Sequence, residues 1–135
     1  MLKLTYTKKG DENMENNVAI VAQNILNERA QLEKELDECR RLHFKFKNAK
    51  ELRRSEMTLS IARMSSEETE KEFGIKKMTD KKTAALIEQD QKYQNKLKGE
   101  KKYESEILKL EGQKETLDKR FELMIPLLKA TLKVE

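Results

Sequence analysis

Apolar residues that recur at alternating steps of three and four are the feature that most constrains this chain. The first series, with polar interruptions, is Val18, Ala22, Ile25, Arg29, Leu32, Leu36, Cys39, His43 and Phe46. The second series is Tyr93, Lys96, Glu100, Tyr103, Ile107, Leu110, Lys114, Leu117, Phe121, Met124, Leu128 and Thr131. This spacing is the heptad repeat of helices that pack side by side. We call the two series the first seam and the second seam.

The composition agrees with long helices. Of 135 residues, 40% are charged and 36% are hydrophobic, and the chain has no Trp, three Tyr and four Phe. So few large apolar residues cannot build a large core within one chain. Together with the heptad spacing, this predicts an all-α protein whose long amphipathic helices form a helical hairpin or coiled-coil-like homo-oligomer. The apolar stripe predicted to form the oligomer interface is Tyr103, Ile107, Leu110, Leu117, Phe121, Met124 and Leu128.

Breaks in the heptad pattern predict the boundaries of the elements. Residues 1–17 show no helical period and are expected to be a flexible lead-in to a single helical domain, 18–135. Within that domain we predict a helix over about 18–72, closed by Gly74, and a connector over about 73–80. Thr79 or Asp80 would cap a short helix to about residue 90. A long helix over about 91–131 follows, which Pro126 is expected to kink or end.

A basic segment interrupts the first seam. The net charge of the chain is only +4, but residues 40–54, RRLHFKFKNAKELRR, carry seven cations and one carboxylate. Continued in register, the seam passes through Lys50 and Arg53, which would cost several kcal/mol if they were buried unpaired. Rows of cations on one helix face commonly bind phosphate backbones. The candidate nucleic-acid-binding residues are Arg40, Lys47, Lys50, Arg53 and Arg54.

A different role for the same cations stays open at the level of the sequence. Carboxylates of a neighbouring helix could pair with them, as is common in coiled coils.

Phe44, on the outer side of the helix, could stack on bases as in single-strand binders, whereas Phe46 lies on the seam and is predicted to be core. A second cationic run, KLKGEKK, is more typical of a solvated face.

No motif points to an enzyme or to a cofactor. The chain lacks a Gly-rich phosphate loop and contains one Cys and one His, Cys39 and His43. These two residues are four apart, but structural zinc takes four ligands, so we predict no metal site. No apolar run reaches the roughly 18 residues of a membrane span, and the N-terminus lacks a signal peptide. A cytoplasmic protein without membrane contact is therefore expected, and a single cysteine agrees with a reducing compartment.

The C-terminal part, from Met78 onwards, resembles the UvsY-type recombination mediators of tailed phages. The similarity consists of a Thr-containing turn, a short helix that ends in acidic residues, an aromatic residue and a long helix with an apolar run. The matching residues are Thr79, Glu88, Asp90, Tyr93, Leu117, Arg120, Phe121 to Leu128, Lys133 and Glu135.

This resemblance implies an oligomeric, helical bacteriophage protein that acts in the cytoplasm of the bacterial host. Such a protein binds single-stranded DNA and helps a RecA-like recombinase to displace single-strand-binding protein, with no enzymatic activity of its own. Its basic residues lie in the N-terminal helical half, where the basic segment lies here. The alternative is a coiled-coil scaffold or adaptor whose basic segment docks an acidic protein partner. A basic amphipathic helix at a membrane surface is disfavoured, because the cations interrupt the apolar face instead of lying opposite it.

Overall fold

A computed structural model describes the backbone of residues 10–133 and the side chains of residues 17–131. Within this part of the chain there are four helices and no strand: α1 (Gly10–Ala62), α2 (Ser66–Phe73), α3 (Asp80–Gln89) and α4 (Gln91–Lys133). The prediction of an all-α protein is confirmed. Helix α1 begins at Gly10 rather than Val18, and the rest of the predicted lead-in lies outside the described residues.

The single helix predicted over 18–72 is wrong beyond Ala62, because the helix is interrupted between α1 and α2. Ser65 has an extended backbone, and its hydroxyl accepts a hydrogen bond from the backbone N–H of Glu68 at 3.2 Å. The same hydroxyl donates to the Glu68 carboxylate at 3.2 Å. A serine three residues before a glutamate is a recognised helix start, so these residues begin a new helix instead of weakening an old one.

The ends of α2, α3 and α4 follow local chemistry. Gly74 closes α2 in the left-handed conformation (φ 70°), with its N–H bonded to the carbonyl of Glu70 at 2.8 Å, as predicted. Of the two candidate caps for α3, Thr79 is the cap, because its hydroxyl accepts a hydrogen bond from the N–H of Lys82. Pro126 does not end α4, which continues to Lys133.

Contacts within the chain divide it into two compact units. Unit 1 is Met1–Glu38 with Ile107–Glu135, and unit 2 is Cys39–Glu106. Helices α1 and α4 each contribute to both units.

In unit 1, segments of α1 and α4 run antiparallel and pack along their seams. Two ion pairs show this orientation: Arg29–Asp118, at 2.6 Å, and Glu33–Lys114. As the residue number rises on α1, the number of the facing residue on α4 falls. The buried core residues are Val18, Ala22, Ile25, Leu36, Leu110 and Leu117. The six stripe residues in this unit are Ile107, Leu110, Leu117, Phe121, Met124 and Leu128, and each is buried or half-buried within the chain. The apolar stripe that was predicted as the oligomer interface is thus covered, in this unit, by α1 of the same chain.

In unit 2, aromatic and small residues fit the two long helices together. The ring of Phe46 on α1 stacks on Tyr103 on α4, with centroids 5.8 Å apart and an interplanar angle of 22°. Gly99 lies beneath the Phe46 ring, where a Cβ atom would come within 2.7 Å of Cγ of Phe46. The glycine therefore provides the space that the aromatic ring occupies. Ile61, Thr69, Ile87 and Tyr93 are the buried residues of this unit.

Candidate nucleic-acid interface

The two cations of the basic segment that lie on the seam, Lys50 and Arg53, are both paired inside unit 2. Nζ of Lys50 lies 2.7 Å from Oε2 of Glu100, and both side chains are largely buried. That oxygen has no other hydrogen-bond donor among the described residues, so the ammonium group of Lys50 is what compensates its negative charge. Hydrogen bonding to Glu100, which outweighs desolvation, raises the pKa of Lys50.

Arg53 forms a two-pronged pair with Asp90, the residue between α3 and α4. Its Nε and Nη2 atoms donate to the two carboxylate oxygens at 2.8 and 2.9 Å. Asp90 also accepts a hydrogen bond from the backbone N–H of Tyr93 at 2.9 Å, so it caps α4. The guanidinium of Arg53, then this backbone hydrogen bond, lower the pKa of Asp90 to about 2. This pair fixes the α3–α4 junction against α1.

Arg54 is exposed, but its guanidinium is held in place by an aromatic side chain. Its Nη2 donates to the hydroxyl of Tyr93 at 2.8 Å, and the guanidinium carbon lies 5.6 Å from the centre of the Tyr93 ring. The groove that Arg54 lines, of about 330 Å³, also carries the carboxylates of Asp80 and Glu88. These acidic neighbours make the groove itself a poor place for a phosphate.

The remaining cations of the basic segment point away from the seam. Lys45 and Lys47 are exposed, and neither forms an ion pair with another described residue. Arg40 is exposed too, although it interacts with other residues of the chain. Of the five residues predicted to bind nucleic acid, the structure therefore places Arg40, Lys47 and Arg54 at the surface and Lys50 and Arg53 in internal ion pairs.

Lysines of α4 lie close to Lys45 and Lys47 along the helix pair: Lys101 and Lys102 are level with residues 47–49, and Lys98 is level with residues 51–52. The register is set by the stacking of Phe46 on Tyr103 and by the pair between Lys50 and Glu100. This register brings the run KLKGEKK, which the sequence favoured as a solvated face, alongside the basic segment. Its exposed cations are Lys98, Lys101 and Lys102. We call Lys45, Lys47, Lys98, Lys101 and Lys102 the lysine belt of unit 2.

The aromatic residues of the basic segment are divided as the sequence predicted. Phe46 packs in the core of unit 2 against Tyr103. Phe44 is 64% exposed, next in sequence to Lys45. Bases stack on exposed aromatic rings beside phosphate contacts in single-strand binders, so Phe44 has the position that this role needs.

Two specific features, a metal-ligand cluster and a membrane-spanning helix, are absent from the described residues. Cys39 and His43 are both half-buried on the seam, and no group of three or more potential metal ligands occurs in the part of the chain that the structure describes. None of the described helices combines the length and the apolar character that a membrane span requires.

Comparisons of the chain with protein-family models, with curated proteins and with solved structures find no match. The resemblance to the UvsY-type mediators therefore stays a prediction from the residues of the C-terminal part.

Proposed function

We propose that this chain is a non-enzymatic protein that binds single-stranded DNA through the lysine belt of unit 2. The observation that carries the proposal is that five exposed lysines from two helices lie within about two helical turns of one another, in a register fixed by the Phe46–Tyr103 stack. Exposed lysines grip phosphates at little desolvation cost, and their binding releases the counterions of the nucleic acid. Unit 2 has 18 cations and 12 carboxylates, whereas the rest of the chain has 11 and 13, so the positive charge is concentrated here.

Within this proposal, the five candidate residues have two different roles. Lys50 and Arg53 hold the helices of unit 2 together and do not contact phosphates, because Glu100 and Asp90 already neutralise them. Lys47 joins the belt directly, and Arg40 and Arg54 extend it along α1. The side chains that bind DNA are then those that lie off the seam.

The preference for a single strand rests on Phe44 and on the resemblance. An exposed aromatic ring beside cations stacks on any unpaired base, which a duplex does not present. The resemblance to recombination mediators adds the biological setting: a phage-encoded homo-oligomer in the bacterial cytoplasm that presents DNA to a RecA-like recombinase and helps the recombinase to displace single-strand-binding protein.

A charge-matched pair of variants tests the proposal. Lys45, Lys47 and Lys101 are changed together to Gln, and the control carries the same change at exposed lysines of unit 1, Lys34, Lys119 and Lys129. Fluorescence anisotropy with a labelled oligo-dT then gives affinity as a function of salt. Each phosphate contact contributes about −0.7 to the log–log slope, so the belt variant should lose roughly two units of slope and the control almost none. Equal slopes in the two variants would contradict the proposal.

A second variant separates stacking from charge. Phe44→Ala should weaken binding to oligo-dT by about 1–3 kcal/mol and leave binding to a duplex of equal length unchanged. An equal loss on both nucleic acids would mean that Phe44 supports the fold rather than the bases.

The adaptor function is the second candidate, and one observation favours it. Phe44, Leu52 and Leu59 are 64%, 61% and 55% exposed and recur at steps of eight and seven on the outer face of α1. An apolar row beside cations also suits an acidic amphipathic helix of another protein. In that case wild type would not bind oligo-dT in about 50 mM salt, a condition in which phosphate contacts are strong.

A further inference from the structure

Unit 1 has an apolar surface that its own two helices leave uncovered. A groove of about 420 Å³ lies between α1 and α4, lined by Glu28, Gln31, Leu32, Gln113, Thr116 and Leu117. Further along the unit, Leu123, Leu127 and Ile20 are 75%, 48% and 45% exposed. Large exposed apolar side chains that lie together commonly mark a site of association.

The groove, Leu123 and Leu127 lie on the same side of the helix pair, and Ile20 lies at its edge. On α1, the row of this side precedes each seam position by one residue and contains Asn24, Glu28, Gln31 and Glu35. On α4 the row through Thr116 contains Arg120, Leu123 and Leu127. We call this side of unit 1, with both rows, the groove face.

Two ion pairs define which residues of the two rows lie opposite each other. Arg29 pairs with Asp118, and Glu33 pairs with Lys114, so advancing along α1 corresponds to going back by the same number of residues on α4. In this register Ile20 is level with Leu127, and Glu28 is level with Arg120. Apolar residues, among them Leu127, therefore lie at one end of the groove face. Charged residues, among them Glu28 and Arg120, lie further along its two rows.

The charges of the groove face are self-complementary. The row on α1 carries the exposed carboxylates Glu28 and Glu35, whereas the row on α4 carries the exposed cations Arg120 and Lys109. Neither Glu28 nor Arg120 forms an ion pair with another described residue. A partner that covers this face should present cations opposite α1 and carboxylates opposite α4, and the chain itself has that pattern.

We propose that the groove face binds the groove face of a second copy of this chain, related by a two-fold axis parallel to the helices. This rotation places α1 of one copy on α4 of the other at the same level, so that four antiparallel helices form a bundle. Glu28 then faces Arg120 of the partner subunit, and Ile20 lies level with Leu127 of the partner subunit at the edge of the interface. The inference does not depend on DNA binding, because every residue in it belongs to unit 1.

Analytical ultracentrifugation of the full chain, across nanomolar to micromolar concentrations, tests the apolar part of this interface. Leu123→Asp puts a charge where wild type has an exposed leucine, so it should not disturb the monomer. Each substitution acts twice in a two-fold dimer, and a loss typical of an interface hot spot, counted twice, weakens the dimer about a thousandfold. The matched control is Leu52→Asp, an equally polar change at a 61% exposed leucine of unit 2, which should leave the dimer intact.

Charge reversal tests the orientation of the two copies. Glu28→Arg and Arg120→Glu should each weaken the dimer about tenfold, because like charges then face each other. The double variant should return to within about threefold of wild type, since the pair is restored with opposite polarity. Circular dichroism should give the same helix content throughout. A monomeric wild type, a dimer that survives Leu123→Asp, or a double variant as weak as the single ones would each overturn the proposal.

Discussion

The Arg53–Asp90 pair makes a quantitative prediction: Asp90→Asn should destabilise the protein by about 1–2 kcal/mol at neutral pH. The pKa of Asp90 falls from 3.8 to about 2 in the folded state, and one pKa unit corresponds to about 1.4 kcal/mol. The Arg53 and Asp90 side chains keep 24% and 17% of their exposure, so solvent screening reduces the full value. Asparagine keeps an oxygen that can cap α4, so the substitution removes the charge and retains the cap.

The direction of the pKa shift determines how this stability difference changes with pH. Because folding lowers the pKa of Asp90, the ion pair stabilises the folded state fully above the unfolded value near 3.8. The contribution is lost as the pH falls through the folded value of about 2. Urea unfolding followed by circular dichroism should therefore show a constant gap between wild type and Asp90→Asn at pH of about 5–7. The gap should shrink below about pH 4 and close near pH 2.

A neighbouring carboxylate supplies the control for this measurement. Glu56 lies 3.8 Å from Nη1 of Arg53 and is 57% exposed, so Glu56→Gln should cost less than about 0.5 kcal/mol. If Asp90→Asn is no more destabilising than Glu56→Gln, the pair does not hold the α3–α4 junction as argued. A gap of unchanged size near pH 2 would also refute the reasoning, because the charge of Asp90 would then not be its cause.

Three further changes probe the packing of unit 2 and one helix cap. Gly99→Ala should destabilise by about 1–3 kcal/mol in urea unfolding, because the new methyl group meets the Phe46 ring; the roughly 1 kcal/mol gain expected from helix propensity alone would be the contrary result. Glu100→Gln should cost about 2 kcal/mol, because Lys50, which is largely buried, then has only the carboxylate of Glu51 at 3.7 Å, and adding Lys50→Met should recover most of the loss. Thr79→Ala should cost about 1 kcal/mol and fray the start of α3, which amide hydrogen exchange would detect; unchanged protection there would show that the cap is dispensable.

The seams were the part of the fold that the sequence predicted best. Val18, Ala22, Ile25 and Leu36 are buried on α1, and Leu110 is buried on α4, at the positions that the heptad spacing marked. Periodicity succeeds because a helix can bury only one face. It does not say what covers that face, since an antiparallel segment of the same chain and a second copy bury the same residues. The stripe assigned to an oligomer interface was for this reason open to a partner inside the chain.

The break between α1 and α2 shows a different limit of sequence reasoning. The predicted helix over 18–72 contains Ser65 and Ser66 as interior residues, although serine is a poor helix former. The Ser65–Glu68 spacing also fits a helix start, and the two interpretations predict different structures. The cap decides between them, since the Ser65 hydroxyl bonds both the backbone and the side chain of Glu68.

The pairing of Lys50 was foreshadowed by a signal that the two seams carry together. Lys50 interrupts the first seam and Glu100 interrupts the second, with opposite charges. Two oppositely charged residues on facing seams can neutralise each other when they lie opposite one another. Each destabilises the folded state when it lies opposite an apolar residue. Opposite interruptions thus predict the register of an antiparallel pair, in the way that a single buried polar residue fixes the register of a coiled coil.

This role in specifying the register bears directly on which cations can serve a ligand. Sliding α4 by one heptad in unit 2 would take Glu100 away from Lys50 and leave neither charge opposite its partner, so the ion pair disfavours that arrangement. A phosphate that bound Lys50 or Arg53 would have to displace Glu100 or Asp90 and would loosen the register that places the belt lysines together. Binding and folding would then oppose each other. The lysine belt avoids this conflict because its members lie off the seam and form no ion pair with another described residue, so a phosphate that binds them displaces no carboxylate.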